Sequence, residues 1–208
     1  MDILNETITD DCLPLIIAFG GILSGLGMPI FEFKNFLTSN FKCHFIFIRD
    51  LNQLWYLDDY IENSINKIKS IIDKINYSKI ITIGVSMGGY ASILFGTLLD
   101  VNHILAFCPQ TFINIENIKK YNDIRWENRI NKIHSKNINE KYYDLYLLDF
   151  SKTNIKIFYG KLDNLDKIHS LRLNNKKNIT IKECEGDHNF IKILKTNNEL
   201  YNIIKSVF

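Results

Sequence analysis

The sequence predicts an α/β fold: a mostly parallel sheet of about six strands flanked by helices. Three observations carry that prediction. Six short apolar runs recur along the chain, amphipathic stretches with helical spacing lie between them, and no repeat, proline-rich linker or low-complexity segment interrupts the 208 residues. A single domain over residues 1–208 is expected.

The runs are Leu15 to Phe19, His44 to Ile48, Lys79 to Ile83, His103 to Phe107, Asn154 to Tyr159 and Asn178 to Cys184. They are rich in Ile and Phe and alternate little in polarity, the pattern of strands buried on both faces of a parallel sheet. Between the second and third runs, Ile61, Ile65, Ile68, Ile72 and Ile75 recur at spacings of four and three, with Glu62, Lys67, Lys69 and Lys74 pointing elsewhere. That spacing predicts a helix with one apolar face. A second helix is expected from Ser86 to about Leu99, and a last one from roughly Phe190 to Val207.

Residues 110–152, Gln110 to Lys152, hold no clear strand. Ile118, Tyr121, Ile124, Ile130 and Ile133 indicate one helix there, and Tyr142, Leu145, Tyr146 and Leu148 another. The stretch is too long for a simple crossover. It reads as a helical cap, inserted to roof a site at the carboxyl ends of the strands, where ligands of open α/β sheets bind.

Twenty-five basic residues against 23 acidic ones give no field that favours nucleic acid or a membrane surface. Cys12, Cys43, Cys108 and Cys184 lie far apart and form no C-x-x-C pair, so neither a zinc site nor a disulfide framework is expected. The N-terminal segment carries Asp2, Glu6, Asp10 and Asp11 where a signal peptide carries Lys or Arg, and no apolar run reaches the ~18 residues of a spanning helix. A cytoplasmic protein with reduced thiols is expected. The 35 Ile and 24 Asn against 3 Ala favour no chemistry.

The chemistry concentrates in Gly84-Val85-Ser86-Met87-Gly88, a G-x-S-x-G placed where a buried strand meets a helix. A serine on such a tight turn has a strained backbone, and glycines two residues to either side remove the Cβ atoms that would collide with it. The free N–H groups and positive end of the helix suit an oxyanion, with the Met87 amide as the natural first donor. A serine hydroxyl needs a base, and the base needs an acid to orient it. Asp163 follows the run ending at Tyr159, and His188 follows the run ending at Cys184, giving the chain order Ser86, Asp163, His188.

On Gly84 to Gly89, Tyr159-Gly160-x-x-Asp163 and Gly186-Asp187-His188, the sequence from Leu15 to its end resembles the α/β-hydrolase superfamily. The resemblance implies a compact α/β-hydrolase fold in which Ser86 attacks an acyl carbonyl, His188 takes and returns the proton, and Asp163 orients the imidazole. It also implies a second oxyanion donor in the loop Phe19-Gly20-Gly21-Ile22, where Gly20-Gly21 is similar to the family's His-Gly segment. Gly21 is the expected donor, with Ile22 close behind it and also a candidate substrate contact. The chain departs from the family in having little room for the two leading strands of the full fold.

Alternatives stand next to these residues. Asp166 lies three residues beyond Asp163, and His169 rivals His188. The loops Gly27 to Phe33 and Arg49 to Tyr56 follow the first two strands, so Trp55 and Tyr56 are candidates for an aromatic substrate wall, and Arg49 or Asp50 for polar contacts. Loop packing explains them equally well. The function expected is that of a serine hydrolase cleaving a carboxylic ester or thioester, with no cofactor and no metal. Its partner is a small-molecule acyl substrate, possibly carbohydrate-linked. The alternatives are an acyltransferase or deacetylase acting on a carbohydrate with the same triad, or a non-catalytic binding protein of the same fold. Oligomeric state is not legible.

Overall fold

The computed structural model describes residues 1–6, 12–22, 24–25, 28–57, 61–136 and 139–208. Its strands in chain order are β1 (Asp2–Glu6), β2 (Leu15–Phe19), β3 (Ser24–Gly25), β4 (Met28–Pro29), β5 (His44–Arg49), β6 (Ile80–Val85), β7 (His103–Phe107), β8 (Asn154–Gly160) and β9 (Ile179–Cys184). Seven of them form one sheet in the order β1-β5-β2-β6-β7-β8-β9, while β3 and β4 pair as a small antiparallel ladder. Every contact in the large sheet is parallel except that of β1, which pairs antiparallel with β5. The expectation of about six strands therefore gains one. Asp2-Ile-Leu-Asn-Glu is short, acidic and only part-buried, so it lacks the apolar signature of the others.

The order fixes where a site can form. The chain runs from β2 outward to β5, then crosses back over β2 to lay down β6 on its other side. This reversal opens a crevice at the carboxyl ends of β2 and β6, the switch point where open α/β sheets bind ligands. Phe19 and Gly84 are register partners there, so Gly20 and Gly21 emerge beside the turn that carries Ser86.

Helices cover both faces. They are α1 (Lys34–Asn40), α2 (Ile61–Ile72), α3 (Met87–Leu98), α4 (Ile115–Tyr121), α5 (Glu127–His134), α6 (Asn164–Leu171), α7 (Ile191–Thr196) and α8 (Glu199–Lys205). Strand alternation divides the core: Leu15, Ile17 and Phe19 pack with α2, α3 and part of the insertion, whereas Ile16 and Ala18 pack towards α1, α7 and α8. Nearly all of α3 is buried, so it is apolar all round and lacks the one-sided stripe of α2.

Two expected helices are broken. The terminal helix divides into α7 and α8 at Asn198, and the first helix of the insertion divides into α4 and α5 at Asn122. Both asparagines have positive φ, the conformation that ends a helix and that Asn tolerates better than most residues. The expected helix around Tyr142 to Leu148 is instead two 3-10 turns, Glu140–Tyr142 and Leu145–Leu147. The Asp144 side chain accepts from the Tyr146 N–H and so starts the second turn afresh.

Candidate active site

Ser86 lies at the junction of β6 and α3 with φ 55° and ψ −119°, a region that costs an L-residue energy and is kept where surrounding structure enforces it. The enforcement is visible: the Ser86 N–H donates to Phe107 O at 2.9 Å, and Ser86 O accepts from Tyr90 N at 3.0 Å. Any Cβ on Gly88 would fall on the Phe19 carbonyl oxygen, so glycine there lets α3 press against the end of β2. Met87, the first residue of α3, has its N–H among the free donors of the first turn.

His188 follows β9, and its loop is tied to the end of β7, the strand end that also bonds Ser86. The Cys108 thiol, just past Phe107, donates to His188 O at 3.3 Å. At Gly160 the β8 backbone meets Asp187 so closely that any side chain would collide. The next amides, Lys161 N and Leu162 N, donate to Cys184 O and Gly186 O. The loops after β8 and β9 are thus tied together.

The acid on His188 is Asp166. Its Oδ2 lies 2.6 Å from His188 Nδ1, and its Oδ1 accepts from Arg125 NH1 at 2.8 Å. Asp163, the expected acid, is the N-cap of α6: its Oδ1 accepts from Asp166 N at 2.9 Å. This corrects the assignment, and the cause is helix geometry. A carboxylate engaged in capping points at the helix start, while the residue one turn on projects from its side. The Asp163-x-x-Asp166 pattern resembles a capping box, which is the sequence signal that marks Asp163 as the cap.

The hydrogen bond to Asp166 raises His188 above the ordinary 6.5 against the effect of burial, while the Arg125 charge pulls it down. With Nδ1 engaged as a donor, Nε2 keeps its lone pair for a proton. His169, the rival base, is buried in a separate pair. Its Nε2 faces Asp123 Oδ2 at 2.9 Å, and its Nδ1 accepts from the Thr111 N–H at 3.0 Å. Burial lowers its pKa, so it is held neutral with neither nitrogen open to a substrate.

Arg125 links the two pairs, with NH2 on Asp123 at 2.8 Å as well as NH1 on Asp166. Burial works against the Asp123 carboxylate, but hydrogen bonds from His169 and Arg125 outweigh it and hold the carboxyl well below the usual range. Sequence reasoning missed Arg125, because it lies in the insertion, 41 residues from Asp166.

Gly21 stands near Val85 O, at the end of the strand that leads to Ser86. Its N–H is taken, however: it donates to Glu32 Oε2 at 2.8 Å. Burial pushes the Glu32 carboxyl up to about 7, against the Gly21 hydrogen bond and the nearby His188 charge. Ile22 is half-buried against the core.

Trp55 and Tyr56 do not form the expected wall. Both are buried, and the Tyr56 hydroxyl donates to Gly20 O at 2.8 Å and contacts Ile48 O at 3.2 Å, pinning the loop that carries Gly21. Asp50 accepts from Asn52 N, Leu54 N and Tyr56 N, and Arg49 bonds Asp2 and Pro29 O, so both serve the loops. Gly27 lies outside the described residues.

Among the described residues, Cys108, Asp166 and His188 place a sulfur, an oxygen and a nitrogen within 4.8 Å of one another. That donor set suits hydrogen bonding better than a cation. Both Asp166 oxygens are engaged by His188 and Arg125, and burial holds the Cys108 thiol protonated.

Comparison with known proteins bears on the fold. The family model described as an uncharacterised protein family, UPF0227, matches residues 43–205. No curated protein matches. Among solved structures, the chain is similar to the capsule O-acetyltransferase of Neisseria meningitidis serogroup A, with 22% identity, a TM-score of 0.74, and 98% of this chain and 90% of that chain covered. It is similar to FphF, a fluorophosphonate-binding serine hydrolase of Staphylococcus aureus, with 16% identity, a TM-score of 0.65, and 97% and 85% covered. A Pyrobaculum calidifontis esterase gives 11% identity, a TM-score of 0.65, and 99% and 84% covered. The chain has the α/β-hydrolase fold.

Proposed function

The chain belongs to the uncharacterised protein family UPF0227, and from its site we propose that it is a serine hydrolase that cleaves a carboxylic ester or thioester through an acyl-enzyme on Ser86. One observation carries the reading: a histidine held by a buried carboxylate, with its second nitrogen open, on a loop bonded to the strand end that also holds the Ser86 elbow.

In this mechanism His188 Nε2 removes the Ser86 Oγ proton as Oγ bonds to the acyl carbon. The carbonyl π pair moves onto oxygen, where the Met87 and Gly21 N–H groups receive the charge. The tetrahedral centre then expels the alcohol or thiol, which leaves with the proton from His188. Water repeats the cycle on the acyl-enzyme and releases a carboxylic acid. Asp166 orients Nδ1–H and stabilises the imidazolium. The residues supply nucleophile, base and oxyanion donors, so the chemistry requires no cofactor.

Residues 110–152 act in this reading as a cap that also delivers Arg125 to the triad acid. No helix among the described residues is long and apolar enough to cross a membrane, and the four cysteines are free thiols. Free thiols support action in the reducing cytoplasm.

A second reading is acyl transfer to a carbohydrate hydroxyl, favoured by the likeness to the capsule O-acetyltransferase over almost the whole of both chains. The acyl-enzyme is the same, and His188 deprotonates a sugar hydroxyl in place of water. Turnover of short activated esters by the native protein and by Ser86→Ala tests the first reading, which requires the variant to lose activity. Product analysis with and without an acceptor sugar separates the two: transfer gives an acylated sugar, and hydrolysis gives only free acid.

A further inference from the structure

The Gly21 N–H, the second oxyanion donor in the proposed mechanism, already holds an anion belonging to the chain. Glu32 lies between β4 and α1 and reaches back to it at 2.8 Å. Its placement is built. Ile30 O packs against Gly20, Arg49 NH1 donates to Pro29 O at 2.7 Å, and the Arg49 guanidinium lies 4.4 Å from the Phe31 ring centroid. On the other side Lys34 pairs with Glu6 at 2.6 Å. A point one bond from Gly21 Cα, where a Cβ would sit, is 3.2 Å from Glu32 Oε2 and 3.1 Å from Val85 O, so the carboxylate stands next to the strand end that bears Ser86.

We propose that Glu32 is an internal occupant of the oxyanion site, holding the Gly21 N–H in the resting protein and giving it up only when its carboxylate takes a proton from solvent. The inference rests on the acyl-enzyme reading above. A carboxylate accepts a hydrogen bond far more strongly than a neutral acyl carbonyl does, so the ionised side chain keeps the donor from substrate. It also sets a like charge beside the oxygen on which negative charge must develop. The neutral acid is a poor acceptor and carries no charge, so a substrate carbonyl displaces it.

Several groups face Glu32. His188 approaches from the loop after β9, Tyr56 from the loop after β5 and Cys108 from the end of β7. Lys34, Arg49 and Lys195 share with Glu32 the wall of a cavity of about 490 Å³. Of these cations, Lys34 is paired with Glu6 and Arg49 with Asp2, while Lys195 lies over the Phe36 ring. Burial of the carboxyl outweighs the Gly21 hydrogen bond and the His188 charge, which puts its protonation near neutrality. His188 must be neutral and Glu32 protonated for reaction, so activity has an acid limb from the first and an alkaline limb from the second.

The test measures the rate at which a fluorophosphonate labels Ser86 from pH 6 to 9.5 in the native protein, Glu32→Gln and Glu32→Ala, together with the Gly21 amide shift by NMR. The native rate is expected to rise and then fall above pH 7, and both variants to rise and hold. At pH 9 the variants should label about 100-fold faster, the low end of what one oxyanion donor is worth. The Gly21 amide should titrate near pH 7 in the native protein and lose that transition in Glu32→Gln, a replacement of nearly the same shape. Labelling with the same profile in all three proteins, or a Gly21 amide that does not titrate, overturns the gate and leaves the acyl-enzyme reading intact. Absence of labelling in every protein at every pH overturns both.

Discussion

The carboxylate of Asp166 meets His188 Nδ1 at 2.6 Å, while Asp163, three residues earlier, caps the helix on which Asp166 sits. The two acids therefore have separable effects. Asp166→Asn should lower kcat on the order of 10³- to 10⁴-fold, because an amide favours the wrong imidazole tautomer. Asp163→Asn keeps a good cap and should leave kcat near native. Asp163→Ala should cost about 1 kcal/mol of stability, seen as a Tm lowered by about 2–4 °C. The opposite ranking in steady-state kinetics would restore Asp163 as the acid.

In the proposed mechanism Arg125 tunes the working pH. The imidazole must be neutral to act as base, so activity falls as pH drops through the His188 value, which lies above 6.5. The Arg125 charge lowers that value, and Arg125→Met should move the acid limb of kcat/KM to higher pH. A purely structural Arg125 would lower activity without moving the limb. The sign for stability is opposite: the raised His188 value adds stability fully present below the unfolded value near 6.5 and lost as pH rises through the folded one.

In the proposed mechanism His169 supports the fold and His188 takes the proton. His169→Ala leaves the buried Thr111 N–H without its acceptor and takes one hydrogen bond from Asp123, which keeps those of Arg125, at a cost of about 1–3 kcal/mol. Thermal unfolding should show the loss plainly. At a temperature where both variants are folded, His169→Ala should retain far more turnover than His188→Ala.

Tyr56 pins the loop of Gly20 and Gly21. Tyr56→Phe removes the hydroxyl proton that Gly20 O and Ile48 O share, a bond worth about 1 kcal/mol, and slackens Gly21. The expected result is a kcat lowered about 10-fold with little change in KM, since donor position matters most in the transition state. A change in KM alone would make Tyr56 part of substrate binding.

What could be read from the chain follows from how local each feature is. The β2 and β7 runs coincide with the strands, and the Gly84 to Gly88 elbow is written in consecutive residues. Hydrophobic period and turn sterics suffice for both. Asp163 misled because nucleophile order and a strand end fit two acids three residues apart, and only the capping bond separates them. The breaks at Asn122 and Asn198 turn on one positive φ inside otherwise helical spacing. Arg125 and Glu32 were out of reach. Each joins the site from another segment, and nothing adjacent in sequence shows that the insertion meets α6 or that residues 30–32 fold back onto Gly20 and Gly21.

The central claim is that Ser86 is an activated nucleophile, and covalent trapping tests it most directly. The native protein is treated with a fluorophosphonate near pH 7, followed by intact-mass and peptide mass spectrometry. One adduct on the peptide bearing Ser86 is predicted, absent in Ser86→Ala and strongly slowed in His188→Ala. An unmodified native protein, or equal labelling of native and Ser86→Ala, would contradict the account.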